Sequence, residues 1–293
     1  MLAVAASQFI TGASRLATVL GASPLFIGAV LVGAGTSLPD GLVSAFAAAR
    51  GESGLALGNV YGSNTFNITV VLGAAALITV VRVSRQTLKR EAAYTAGAVL
   101  LFFVLTLVGL GLAAGIFLLL LVPVALWAIR GSPPERVDPG EAERISTPLE
   151  VGRAALGLAF TVVSARLLVD GAEGVASAAG ISQAVIGLTL VAVGTSIPEL
   201  AVSIQAARKK ATDILVGNVL GSNLINSLLI GGVIGILSPD PVEAGSLLPA
   251  GILMLLVTLI ATWFLGTGRK LVAWEGWVLI GGYLVATAVV SVV

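Results

Sequence analysis

No cysteine and no histidine occur among the 293 residues. Their absence excludes disulfides, thiolate chemistry and imidazole metal sites, and it leaves oxygen as the ligand atom for any bound ion. Charge is scarce too, at 11% of residues with a net charge of +1. An ordinary soluble domain carries about 25% charged residues, so this composition excludes a water-soluble globule, and the balance of signs gives no sign of a nucleic-acid partner. Long polar stretches are equally rare. The one of any length is Gly131–Thr147 (GSPPERVDPGEAERIST), rich in proline and charge and without the features of a regulatory domain. What fills the chain is apolar, with 57% hydrophobic residues and a mean hydropathy of +1.05.

Apolar runs of roughly 20 residues mark membrane-spanning helices. They fall at 1–20, 24–49, 54–80, 92–111, 113–130, 149–179, 183–207, 212–237, 247–266 and 272–292. The expected fold is therefore an all-α polytopic membrane protein of ten helices. The first run has no charged n-region and no cleavage-site pattern, so it does not read as a removed signal peptide. The polar stretch divides the chain into a first unit (1–130), a linker (131–147) and a second unit (148–293), with five helices on each side.

The two units repeat each other. Residues 1–67 align without a gap on 160–226, and about 26 of the 67 positions are identical. Five helices per repeat is an odd number, so the copies must cross the membrane in opposite senses. Inverted repeats place a transporter's site near the midplane where they meet. Met1 aligns with Phe160, well inside the sixth run, so the first helix is shorter than its partner, through truncation or because the chain starts upstream. With the 131–147 linker cytoplasmic, thirteen basic residues fall on that side (Arg82, Arg85, Lys89, Arg90, Arg130, Arg136, Arg144, Arg153, Arg208, Lys209, Lys210, Arg269, Lys270), and Arg50 falls opposite. That bias sets both termini extracytoplasmic. Arg15 is expected to snorkel to the interface, and Arg166 and Asp170, four apart, to form a helix-surface ion pair. Trp127, Trp274 and Trp277 sit near helix ends, as interfacial anchors do.

The polar motifs lie inside apolar runs. Gly35-Thr36-Ser37-Leu38-Pro39-Asp40 returns as Gly194-Thr195-Ser196-Ile197-Pro198-Glu199. Gly58-Asn59-Val60-Tyr61-Gly62-Ser63-Asn64-Thr65-Phe66-Asn67 returns as Gly217-Asn218-Val219-Leu220-Gly221-Ser222-Asn223-Leu224-Ile225-Asn226. Acidic side chains at membrane depth are expensive and mark function. The prolines remove a donor and break the helix, freeing carbonyls near Gly33, Thr36, Ala192 and Thr195 to line a cavity, where broken backbone is tolerated. Ser63 and Asn67 lie four apart and share a helix face, as do Ser222 and Asn226. For Asn59, Asn64, Asn218 and Asn223 the alternative of interhelical hydrogen bonding stays open. Two carboxylates with hydroxyl, amide and carbonyl oxygens make a hard-oxygen site, which suits Ca²⁺ at six to eight ligands about 2.3–2.6 Å away. Na⁺ takes the same ligands, whereas Mg²⁺ dehydrates reluctantly. Facing carboxylates repel when no cation lies between them, which makes H⁺ a competitor or counter-ion.

At these residues the chain resembles the cation/Ca²⁺ exchanger superfamily, in particular its sodium/calcium exchanger branch of short prokaryotic members. The resemblance covers nearly the whole chain. The superfamily's H⁺/Ca²⁺ branch has Gly-Asn-Ala-Thr-Glu around its carboxylate, so Gly-Thr-Ser-x-Pro-Asp/Glu favours Na⁺ as the counter-ion. The resemblance implies electrogenic Na⁺/Ca²⁺ antiport without a cofactor, by a monomeric transport unit whose first and sixth helices slide past the rest. By motif position it implies ion ligands at Thr36, Ser37, Asp40, Ser63 and Asn67, and at Thr195, Ser196, Glu199, Ser222 and Asn226, with carbonyls from Gly33 and Ala192. Asp40 stands where glutamate is commoner, and Asn226 where K⁺-dependent relatives have aspartate, which argues against K⁺ cotransport. An H⁺/Ca²⁺ antiporter on the same fold is the alternative. A passive channel fits poorly, since channels use rings from several subunits. An intramembrane aspartyl protease would need two aspartates where the matched acids are Asp40 and Glu199.

Overall fold

The computed structural model describes residues 1–130, 145–178, 192–238 and 240–292. Most of the 131–147 linker and the first part of the expected 183–207 helix lie outside the described residues. The described residues form twelve helical elements and a short 3₁₀ turn, Gly245–Leu247. The first unit contains α1 (Leu2–Leu20), α2 (Pro24–Thr36), α3 (Leu38–Ala49), α4 (Ser53–Ile78), α5 (Arg85–Val108) and α6 (Leu112–Ile129). The second contains α7 (Thr147–Ala178), α8 (Ala192–Thr195), α9 (Ile197–Arg208), α10 (Thr212–Leu237), α11 (Leu248–Gly266) and α12 (Ala273–Val292). Two short strands, β1 (Val81–Arg82) and β2 (Lys270–Leu271), pair antiparallel.

Among the described residues, six helices are long and apolar enough to cross a membrane: α4, α5, α6, Thr147–Leu167 of α7, α10 and α11. A seventh arises if α2 and α3, bent by 48° at Ser37, count as one span. Pro39 accounts for that bend. It stands in the first turn of α3, where its missing donor and its clash with the preceding turn prevent α2 from running on. Pro198 holds the same place in α9.

α5 starts seven residues before the expected position of 92. Lys89, Arg90 and Glu91 lie within a π-helical turn, Leu88–Ala92, that continues into the apolar run. The segment falls outside the apolar run by hydropathy, but a helix end at the interface carries charged residues that reach for water.

Polarity is arranged outside-in. Leu42, Phe46, Leu120, Trp127, Leu156, Phe160, Trp263 and Trp277 are exposed, whereas Asp40, Asn64, Asn67, Glu199, Asn223 and Asn226 are fully buried. Lipid is as apolar as leucine, so the close contacts are made by small residues and hydrogen bonds. α4 and α10 are the most enclosed of the spanning helices, and α6 the least. Phe9, Ile10, Phe66, Leu72, Leu215 and Phe264 belong to one apolar cluster; Leu57, Tyr61, Phe102, Leu118 and Met254 belong to a second.

Glycine allows the tightest approaches. A Cβ on Gly28 of α2 would stand 2.5 Å from the Ile214 carbonyl oxygen of α10, and one on Gly33 would stand 2.9 Å from the Ser222 amide nitrogen. α1 runs along α7 in the same way, with Gly12 against Ala154 and Gly157 against Phe9.

Arg15 does not simply snorkel. It donates to Glu150 of α7 at 2.7 Å, and Arg153 approaches the same carboxylate at 3.1 Å. The expected surface pair of Arg166 and Asp170 forms at 2.9 Å with both side chains exposed. Lys209, just past α9, donates to the Ser7 carbonyl and the Thr11 hydroxyl of α1, both at 2.5 Å. Partial burial, with the Arg153 guanidinium adding to it, pushes this ammonium below the usual lysine range.

Gly28→Ala is expected to lower the melting temperature of the detergent-solubilised protein, because backbone must shift at a cost of about 1–3 kcal/mol. Gly97→Ala, where an added Cβ meets nothing within 4 Å, is the control and should melt like the wild type.

Candidate functional site

Two helix breaks face each other inside the bundle. Ser37 (φ −79°, ψ 2°) interrupts the path from α2 to α3, and Ser196 (φ −97°, ψ 4°) that from α8 to α9. Asp40 and Glu199 sit in the first turns of α3 and α9, where the helix dipole favours negative charge. Both are fully enclosed, as are Thr36 and Ser196, and Ser37 is 2% exposed.

The hydrogen bonds cross from one unit to the other. Ser37 Oγ donates to Glu199 Oε1 at 3.1 Å. Asn226 Nδ2 donates to Asp40 Oδ2 at 3.2 Å. Ser222 Oγ donates to the Gly33 carbonyl at 3.2 Å. Ser63 and Thr195 lie beside the Asp40 carboxyl, and Thr36 beside that of Glu199. Among the described residues, the remaining carboxylate oxygens, Asp40 Oδ1 and Glu199 Oε2, have no partner within hydrogen-bonding geometry. The same holds for Ser63 Oγ, Ser196 Oγ, Asn226 Oδ1 and both amide atoms of Asn67. Buried polar atoms without partners are rare in native proteins and ask for an explanation. Among the described residues no group of three or more acidic side chains comes together, so the site combines two carboxylates with neutral oxygens.

The Gly33 carbonyl, expected to be freed by the proline, is in use. Besides Ser222 it accepts from the Ser37 amide at 3.0 Å and the Thr36 hydroxyl at 3.3 Å. The physical reason is that the break falls one turn later, at Ser37. Ala192 begins α8 at the edge of the described residues, and the chain before it lies outside them.

α4 and α10 carry the second motif, and each passes into a π-helical turn at its last asparagine, Asn67–Val71 and Asn226–Ile230. Such a turn adds a residue to one helical circuit and is frequent at functional sites. Asn67 and Asn226 therefore stand at matched irregularities 159 positions apart, the spacing that also separates Asn64 from Asn223.

Sequence reasoning missed Ser44 and Ser203 and left Asn59 and Asn218 open. Asn59 Nδ2 donates to the Asp40 carbonyl and to Ser44 Oγ, both at 3.0 Å. Asn218 Nδ2 repeats this on the Glu199 carbonyl (3.5 Å) and Ser203 Oγ (2.9 Å). The signal was present: a serine four residues after each acid, in both copies.

A bundle of apolar helices whose polar side chains converge on two paired acids defines an ion-handling membrane transporter rather than an enzyme. A family model described as sodium/calcium exchanger protein matches residues 1–130 and 150–292, and the chain belongs to that family. It is 35% identical to the protein CaxA of Alkalimonas amylolytica, over 97% of this chain and 93% of that one. It is 31% identical to the sodium/calcium exchanger MaX1 of Methanosarcina acetivorans, over 94% and 91%. Among solved structures, the sodium-calcium exchanger NCX_Mj soaked with 10 mM Na⁺ and zero Ca²⁺ superposes with a TM-score of 0.86 at 32% identity, covering 98% of this chain and 94% of that one.

Asn226→Asp would set a second carboxylate 3.2 Å from Asp40 Oδ2, in a site with no cationic side chain among its described hydrogen-bond partners. Like charges at that distance repel. The variant is expected to melt at a lower temperature than the wild type in buffer stripped of divalent cations, measured by differential scanning fluorimetry.

Proposed function

We propose that this chain is a secondary active antiporter that exchanges Na⁺ for Ca²⁺ across the cell membrane by alternating access. Its two units are inverted five-helix repeats, ten spans in all, and the site lies at the midplane between them. The observation that carries the reading is the pairing of Asp40 and Glu199. They stand at matched helix breaks, both wholly buried, each with one carboxylate oxygen held by a donor from the other unit and the second without a hydrogen-bond partner among the described residues. The likeness to MaX1 and NCX_Mj, both sodium/calcium exchangers, supports the choice of ions.

The ligand set proposed is Asp40 and Glu199 with the oxygens of Thr36, Ser37, Ser63, Asn67, Thr195, Ser196, Ser222 and Asn226. The Ala192 carbonyl joins them. That of Gly33 takes part once the hydroxyls now donating to it turn away. One Ca²⁺ neutralises the two carboxylates, and Na⁺ ions on overlapping ligands displace it. A loaded site is close to neutral and can be carried between the two sides. The bare pair has the full desolvation penalty of two charges in a low-dielectric interior, so the empty transporter stays put and exchange is obligatory. The transport unit is a monomer, with the linker cytoplasmic and both termini outside. Support for that orientation comes from the strand pair β1–β2, which brings together two loops that carry basic residues. H⁺ as the counter-ion is the second reading, favoured by the lack of a cationic partner for either acid among the described hydrogen bonds.

Purified protein in Na⁺-loaded vesicles should take up ⁴⁵Ca²⁺ down an opposing Na⁺ gradient. Uptake that responds to a pH gradient alone would replace Na⁺ by H⁺. Glu199→Gln is expected to abolish Ca²⁺ flux in the same vesicles, and flux at the wild-type rate would remove Glu199 from the ligand set.

A further inference from the structure

A threonine hydroxyl has one proton to donate and two lone pairs with which to accept. Thr195 Oγ1 lies 3.3 Å from Asn59 Oδ1 and beside the Asp40 carboxyl. Thr36 Oγ1 lies 3.3 Å from Asn218 Oδ1 and beside the Glu199 carboxyl. In each case the hydroxyl of one unit stands between an amide oxygen and a carboxylate of the other. Its single proton cannot serve both. A hydroxyl that donates to the carboxylate aims its hydrogen at the space a cation must occupy. A hydroxyl that donates to the amide oxygen turns a lone pair toward that space instead.

We infer that Asn59 and Asn218 are positioning residues whose amide oxygens receive the threonine protons when a cation binds, so that Thr195 and Thr36 become ligands. The inference rests on the function proposed above and adds a step to it. The amides are suited to this because their orientation is fixed. Asn59 Nδ2 is committed to the Asp40 carbonyl and Ser44 Oγ, and Asn218 Nδ2 to the Glu199 carbonyl and Ser203 Oγ. Turning either amide over would sacrifice both bonds, so Oδ1 stays aimed at the threonine of the other unit. Each acceptor is also tied to the backbone of the residue that bears the carboxylate, so it keeps its place relative to that acid if the helices shift. Thr36 has the Val32 and Gly33 carbonyls within reach as well, at 3.0 and 3.3 Å, so loss of the amide weakens cation binding without eliminating it.

A double-mutant cycle on vesicle exchange tests this. Asn59→Ala is expected to raise the half-saturating Ca²⁺ concentration about three- to tenfold, the worth of one net hydrogen bond, with a smaller change in maximal rate. In a Thr195→Val background the same substitution should produce no further rise. Ser44→Ala removes one of the two bonds that hold the same amide and leaves the other, to the Asp40 carbonyl, in place, so it should raise half-saturation less than Asn59→Ala does. Effects of Asn59→Ala and Thr195→Val that multiply independently would overturn the inference, as would wild-type half-saturation in Asn59→Ala. Absence of Na⁺-driven Ca²⁺ flux in the wild type would instead overturn the proposed function. Asn218→Ala with Thr36→Val gives the same cycle in the second unit, should an Asn59 variant fail to fold.

Discussion

Two carboxylates enclosed in a bundle of apolar helices are the costliest feature of this molecule, and much of its interior is arranged around them. Neither acid has an arginine or lysine among its described partners. Each is instead steadied by a neutral donor from the opposite unit, Ser37 for Glu199 and Asn226 for Asp40. A cationic side chain would neutralise the acids permanently and, on the function proposed above, leave a transported ion nothing to do. Neutral donors hold the carboxylates in place while leaving their charge uncompensated. The helix breaks supply the remainder: they set both acids in first turns, where backbone dipoles favour negative charge, and they open the bundle just where polar atoms are needed.

The close packing of α2 against α10 follows from the same requirement. Ser222 can reach the Gly33 carbonyl only if the two backbones nearly touch, and Gly28 and Gly33 allow this. These glycines are thus as necessary to the arrangement as the oxygen atoms. α4 and α10, the most enclosed spans, present asparagines at matched π-helical turns, where one extra residue in the circuit re-aims the side chain without ending the helix.

Much of this was legible in the residues alone. Leaving aside the early start of α5 and the part of the 183–207 run outside the described residues, apolar runs located the helix ends to within a few positions, and the repeated Thr-Ser-x-Pro-acid motif singled out Asp40 and Glu199. Misreadings came where the deciding fact was spatial. α5 begins at Arg85 because charged residues at an interface are compatible with helix, which hydropathy cannot distinguish from loop. Gly33 lost its expected freedom to a hydroxyl 189 residues away, and Arg15 found Glu150 at a separation of 135. Asn59 and Asn218 could be seen to repeat, but that each reaches the threonine of the other half follows only from how the two motifs interlock.

The short strands have a bearing on which parts stay still. Val81 and Arg82 lead into α5, and their partners Leu271 and Lys270 follow α11. At the far end Leu110, just past α5, bonds reciprocally to Val242, which precedes α11. These two helices are therefore laced to each other by main-chain bonds above and below, like opposite sides of a closed frame. A frame of that sort fixes the distance along both helices at once. Adding or deleting a residue in α5 alone would unfasten one lacing, so their lengths are constrained to change together.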